Sequence, residues 1–159
     1  MQSRPIYSLV FFIALVFLVE WTGALFTSHS VTSWYVTLHK PAWNPPSWVF
    51  GPVWTVLYLA IGISGWLIFR KTGSVRKHVY PFAIYGLQLV CNLLWSYFFF
   101  FLKSPFLALL DILILIIFIS TNIVVFAKIS RAASICLLPY LIWTVYAATL
   151  NAAIWSLNR

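Results

Sequence analysis

The chain has 159 residues, 63% of them hydrophobic and only 8% charged, with a mean hydropathy of +0.96. A soluble domain carries roughly a quarter charged residues, so this composition excludes a soluble globular fold and belongs to a membrane protein. The net charge of +8 sits on no folded basic module, which argues against nucleic-acid binding and leaves a topology signal with attraction to anionic lipid headgroups.

A helix that crosses a bilayer needs about 20 apolar residues. Five such stretches are present, over approximately 5–26, 46–69, 79–101, 105–126 and 134–156, and they predict an all-α integral membrane bundle of five transmembrane helices in a single domain, 1–159. The first follows Arg4 as the core of a signal peptide would. It is longer than a typical h-region, no Ala-x-Ala cleavage site follows it, and it reads as a helix with Glu20 near its outer end.

Between the first two spans lies a segment rich in aromatic residues and proline, from Trp34 to Tyr58. Pro41, Pro45 and Pro46 restrict its backbone at three places. Trp34, Tyr35, Trp43, Trp48 and Trp54 supply amphipathic surfaces suited to a membrane interface or a flat ligand. Pro46 is placed to open the second helix, and Pro52, one to two turns inside it, is placed to bend it. A segment built this way reads as a cover, not a connector.

The third span carries Gln88 and Asn92, one turn apart and so on one face. The fourth carries Asp111 less than two turns from its start, and the fifth carries Trp143, Tyr146, Ala147 and Asn151. With five spans, Arg4, Arg70, Lys71, Arg76, Lys77, Lys128 and Arg131 share one side, against Lys40, Lys103 and Arg159 on the other. The positive-inside rule then puts the N-terminus in the cytoplasm and the Pro/Trp loop outside. From the rise per residue, Trp54 is expected roughly 12 Å below the outer surface, Asn92 roughly 14 Å and Trp95 roughly 9 Å, with Trp143 nearer the middle. Glu20, Asp111, Trp54, Asn92, Trp95, Trp143 and Asn151 are thereby predicted to line the outer half of the bundle, under the loop. The inner half is expected to hold almost no polar groups.

Each of these residues also has a plainer reading. Trp48, Trp155 and the run Trp95–Phe101 fit interfacial anchors. Gln88 and Asn92 fit interhelical hydrogen bonds, worth around 0.6–2 kcal/mol each. Glu20 and Asp111 fit capping of loop backbone or pairing with Lys40 or Lys103, and Ala148 and Ala152 fit close helix packing. Cys91 and Cys136 read as small side chains inside helices, and His29, His39 and His78 match no metal-ligand spacing, so no metal is expected.

Taken in order, the motifs resemble the TspO/translocator protein family, the tryptophan-rich sensory proteins and peripheral benzodiazepine receptors. The resemblance rests on Trp34-Tyr35, Lys40-Pro41-Ala42-Trp43-Asn44-Pro45-Pro46, Gly51-Pro52-Val53-Trp54-Thr55-Val56-Leu57-Tyr58, Gln88-Leu89-Val90-Cys91-Asn92-Leu93-Leu94-Trp95, Ala108-Leu109-Leu110-Asp111, Pro139-Tyr140-Leu141-Ile142-Trp143 and Ala147-Ala148-Thr149-Leu150-Asn151, and covers nearly the whole chain. It implies a homodimer of five-helix bundles. Each bundle would hold a cavity for porphyrins and synthetic isoquinoline carboxamide or benzodiazepine-type ligands. By position, Tyr35, Trp54, Tyr58, Asn92, Trp95, Trp143 and Ala147 would bind the ligand, under a lid of Trp34, His39, Lys40, Pro41, Trp43, Pro45 and Pro46. Lys40 or His39 would meet a propionate of protoporphyrin IX or a related tetrapyrrole.

The resemblance also implies a receptor or sensor linked to stress, with light-dependent breakdown of protoporphyrin IX at Trp54 and Trp143. Electron donation from indole to the excited porphyrin, or interception of reactive oxygen in the pocket, requires neither a metal nor a general base, so no cofactor is expected. Cholesterol binding is not expected, because Ala152 and Ala153 stand where animal members carry the Tyr of a sterol motif. Leu107 stands where some relatives have a pocket Trp. The alternative functions are a transporter of porphyrins or other amphipaths, and a structural partner of other membrane proteins. The expected location is a cell membrane, with an organelle outer membrane as the alternative.

Overall fold

The computed structural model describes the backbone of residues 4–159 and the side chains from residue 6 onward, so the Arg4 side chain, counted above toward topology, lies outside the described residues. The described chain is all helical. Five stretches are long and apolar enough to cross a membrane: Ile6–Val31, Ser47–Thr72, Arg76–Phe101, Pro105–Ala127 and Arg131–Leu157.

Helix α1 spans Arg4–Val31, five residues beyond the predicted end at 26. Its polar tail explains the difference. The hydroxyls of Thr27 and Ser28 donate back to the carbonyls of Gly23 (2.9 Å) and Leu25 (3.1 Å), so they remain helical without needing water. Ser30 reaches across to the Phe100 carbonyl at 2.7 Å.

Helix α2 spans Phe50–Thr72 and is preceded by a 3₁₀ turn, Ser47–Val49, that Pro46 opens with φ −54° and ψ 141°. Pro52 therefore falls in the first turn of α2 and not one to two turns inside, and its missing N–H forfeits no intrahelical bond. Gly73 ends α2 in the left-handed region at φ 68°, its N–H donating to the Phe69 carbonyl.

Helix α3 spans Val79–Ser96, entered through a 3₁₀ turn at Arg76–His78 and continued by a π-helical turn, Tyr97–Phe101. Helix α4 spans Pro105–Ala127, with the Ser104 hydroxyl accepting from the Leu107 N–H at its start. The fifth span is broken in two: α5 is Arg131–Cys136, capped by Ser130, and α6 is Leu138–Leu157. The break has a local cause. Pro139 has no N–H to continue the ladder, and the last turn of α5 tightens to a Leu137 N–H to Ser134 carbonyl bond of 3.1 Å.

The spans close a ring in the order α1, α2, α5–α6, α4, α3, and α3 returns to α1. Two glycines set the spacing of α2 from its neighbours. A Cβ at Gly62 would lie 2.8 Å from Ile13 Cδ1, and one at Gly65 would lie 2.7 Å from Tyr85 Cζ and 2.8 Å from Phe12 Cδ1. Ile61, Ile68, Leu115, Ile119 and Phe126 fill the centre with essentially no exposure. Overpacking such a contact costs about 1–3 kcal/mol. Gly65→Ala is therefore expected to lower the thermal midpoint in detergent, whereas Gly51→Ala, where a Cβ meets nothing within 4 Å, is expected to leave it unchanged. Equal midpoints for the two variants would contradict this packing.

Candidate functional site

The half of the bundle under the first loop encloses a cavity of about 290 Å³. Aromatic rings line it on several sides: Phe50, Trp54 and Tyr58 from α2, Trp95, Phe99 and Phe100 from α3 and its π-turn, and Tyr35 from the loop. α1 contributes Glu20, Gly23, Ala24, Thr27 and Val31, and α6 contributes Ala147, Leu150, Asn151 and Ile154. Gly23 lets α1 approach α3 closely, since a Cβ there would lie 3.3 Å from Ser96 Oγ.

Asn92 organises the floor. Its Oδ1 accepts from the Tyr58 hydroxyl and its Nδ2 donates to the Tyr140 hydroxyl at 2.7 Å. One side chain of α3 thus joins α2 and α6. A second bond set fixes the wall, where Trp95 Nε1 donates to Asn151 Oδ1 (3.0 Å) and Asn151 Nδ2 donates to the Pro105 carbonyl (2.7 Å). Trp95 also stacks on Phe99, with centroids 5.2 Å apart. The Trp54 ring leans on Tyr58 at 5.9 Å and meets Tyr140 edge-on at 6.4 Å.

Glu20 accepts from the Thr55 hydroxyl at 2.8 Å, while its Oε2 is buried with no partner among the described residues. It does not cap loop backbone or pair with Lys40, whose amine donates to the Leu38 carbonyl (3.2 Å) and sits 4.6 Å over the Tyr35 ring.

The loop is held from both ends. Tyr35 is buried, and its hydroxyl donates to Asn44 Oδ1 at 3.1 Å. Burial holds the Tyr35 phenol above its ordinary pKa, partly offset by that bond, so it stays a neutral donor. Tyr146 of α6 donates to the Trp43 carbonyl at 2.7 Å. Asn158 exchanges two 2.9 Å bonds with the His39 backbone. Trp34 packs edge-on against Phe99.

Of the seven residues expected around a ligand, six line the cavity: Tyr35, Trp54, Tyr58, Asn92, Trp95 and Ala147. Trp143 is not among the lining residues. It packs behind the wall against Phe50 (6.0 Å) and Tyr146 (5.5 Å), with Nε1 buried and unpartnered among the described residues. The lid residues Trp34, His39, Lys40, Pro41, Trp43, Pro45 and Pro46 likewise form an outer layer, and Tyr35 and Ser47 are the loop residues at the lining. Asp111 is buried away from the lining, its Oδ2 unpartnered among the described residues. The aromatic run is not only interfacial: Phe99 and Phe100 are buried, whereas Trp48 is 75% exposed, as an anchor should be.

The expectation of an inner half almost without polar groups is corrected. Ser64 donates to the Ala133 carbonyl at 2.8 Å, Tyr85 donates to the Ile61 carbonyl at 3.1 Å, and Asn122 is fully buried. Asn122 is a polar residue five positions from the end of an apolar span, the kind of position that marks a buried role in a membrane helix.

Fold and site together define a multi-pass helical membrane protein with an aromatic cavity capped by its first loop. The chain belongs to the TspO/MBR family, whose model matches residues 12–156. It is 40% identical to the tryptophan-rich protein TspO of Chlorobaculum tepidum over 99% of both chains. It is 36% identical to the translocator protein of Homo sapiens, over 86% of this chain and 82% of the relative. The tryptophan-rich sensory protein of Cereibacter sphaeroides is 34% identical, over 86% of this chain and 82% of that one.

Removing Asn92 leaves two buried hydroxyls unpaired, at about 1–3 kcal/mol per group. Asn92→Leu is therefore expected to lower the thermal midpoint more than Tyr58→Phe, which deletes one hydroxyl and leaves Asn92 bonded to Tyr140. Thermal unfolding in detergent reads this, and an Asn92→Leu variant as stable as wild type would refute the floor's role.

Proposed function

We propose that this protein is a membrane receptor or sensor for a flat amphipathic tetrapyrrole, with protoporphyrin IX as the expected ligand, in a cell membrane with its N-terminus in the cytoplasm. One observation carries the reading: an apolar cavity walled by Trp54, Tyr58, Trp95, Phe99 and Phe100, with Asn92 at its floor and the Lys40 ammonium over Tyr35 at its loop end. Stacked aromatic faces suit a macrocycle, and the ammonium suits a propionate. At about 290 Å³ the cavity lies at the lower end of the range for small-molecule sites, so a porphyrin would enter by an edge, with its acidic tails toward the loop. Synthetic isoquinoline carboxamides, being flat and aromatic, would compete for the same walls.

A photochemical role falls to Trp54 and not to Trp143, because Trp54 lines the cavity while Trp143 stands behind Phe50. Binding is favoured over transport by the origin of the lining. Every lining residue comes from the loop or the loop-facing half of its span: Glu20–Val31, Phe50–Tyr58, Asn92–Phe100 and Ala147–Ile154.

Titration of protoporphyrin IX into the purified protein in the dark, followed by Trp fluorescence, tests this. Saturable quenching is expected, with Trp54→Phe weakening affinity about three- to tenfold and Trp143→Phe changing it much less. An isoquinoline carboxamide is expected to reverse the quenching. No saturable binding would overturn the proposal, and equal losses in the two variants would overturn the assignment of the cavity as the site.

A further inference from the structure

We infer that Gln88 and Asn122 form a second, deeper polar site between α3 and α4, one layer below the cavity floor, and that it holds a small neutral hydrogen-bonding guest, namely water. The inference stands whatever ligand the cavity takes.

Both side chains have 0% exposure, and all four of their amide nitrogens and oxygens lack a partner among the described residues. Two bare amides buried in hydrocarbon are strongly unfavourable, so the arrangement requires something to bond them. Their positions place them together. Tyr85 of α3 and Phe126 of α4 stack with centroids 6.1 Å apart and planes 19° apart, which sets the register of this antiparallel pair. Gln88 lies three residues further along α3 and Asn122 four residues back along α4, steps of about 4.5 and 6 Å in the same direction. Helical side chains lean toward their own helix N-terminus. Gln88 therefore leans away from the loop and Asn122 leans toward it, and their ends converge from opposite sides of one layer.

The neighbours do not complete the bonding. The Tyr85 hydroxyl is given to the Ile61 carbonyl, and both heavy atoms of the Asn92 amide are taken by Tyr58 and Tyr140. Gln88 and Asn122 do not bond each other directly. Two facing amides offer donors and acceptors in equal measure and no charge. That chemistry rejects a bare cation or anion and suits a guest that both donates and accepts. Asn92 lies one turn above Gln88 on the same face of α3, so the site continues the polar column that begins at the cavity floor.

The test is nuclear magnetic resonance on the full chain in lipid nanodiscs, with ¹⁵N in the Gln and Asn side-chain amides. Gln88→Leu and Asn122→Leu variants assign the two signals. Both side-chain NH₂ groups are expected to show direct cross-relaxation peaks to water. Asn122→Leu is expected to remove most of the water peak at Gln88, because the guest is shared. Absence of a water peak at both groups, or contacts between the two amides with no water peak, would overturn the inference. If a variant fails to fold, the wild-type spectrum decides, with the signals assigned by selective Gln or Asn labelling.

Discussion

A membrane-buried asparagine must be bonded within the protein, and in this molecule that requirement falls on Asn92. Lipid offers its amide nothing, so the helices must bring partners to it. Tyr58 arrives from α2 and Tyr140 from α6, and together they use both ends of the amide. Three spans are thereby locked in rotation about their axes, because each hydroxyl reaches Asn92 from a single face. The orientation of Trp54 follows from this lock, since it leans on both tyrosines. The cavity is the space left above the junction.

The upper boundary depends on a different device. The first loop is tied by Tyr146 at the Trp43 carbonyl and by Asn158 at the His39 backbone, both from α6. Pro41 removes backbone freedom between these ties, Pro45 and Pro46 do so beyond them, and Tyr35 turns inward to the wall. Of the loop residues outside the lining, Lys40 is the one that sets a charge beside a lining ring. The loop-facing halves of the spans thus enclose the cavity, while the opposite halves are held by close packing at Gly62 and Gly65 of α2.

Most of the fold was legible because hydrocarbon imposes its length on the sequence. The departures occur where local chemistry mimics something else. Thr27, Ser28 and Ser30 look like a loop, yet hydroxyls that return to carbonyls let them finish a helix. The aromatic run looks like an interfacial belt, yet a π-turn rotates Phe99 and Phe100 inward. Five of the cavity's aromatic and polar positions, Tyr35, Trp54, Tyr58, Asn92 and Trp95, were readable from motif order, as was Ala147. Trp143 lies outside the lining, because sequence gives the depth of a residue but not what stands in front of it, here Phe50. A single amide in an apolar run, such as Asn122, has no spacing pattern to announce its role. The α3–α4 register is what reveals it.

The central claim is that the tetrapyrrole sits inside the loop-capped cavity and not on the lipid-facing surface. A bound porphyrin reports its own position when illuminated, because the reactive oxygen it generates oxidises the nearest indoles. Mass spectrometry of the complex after a brief exposure to light would map those oxidations across the Trp residues. The account predicts modification at Trp54 and Trp95, suppressed by a competing isoquinoline carboxamide. Oxidation confined to the exposed Trp21 and Trp48, with Trp54 and Trp95 intact, would contradict it.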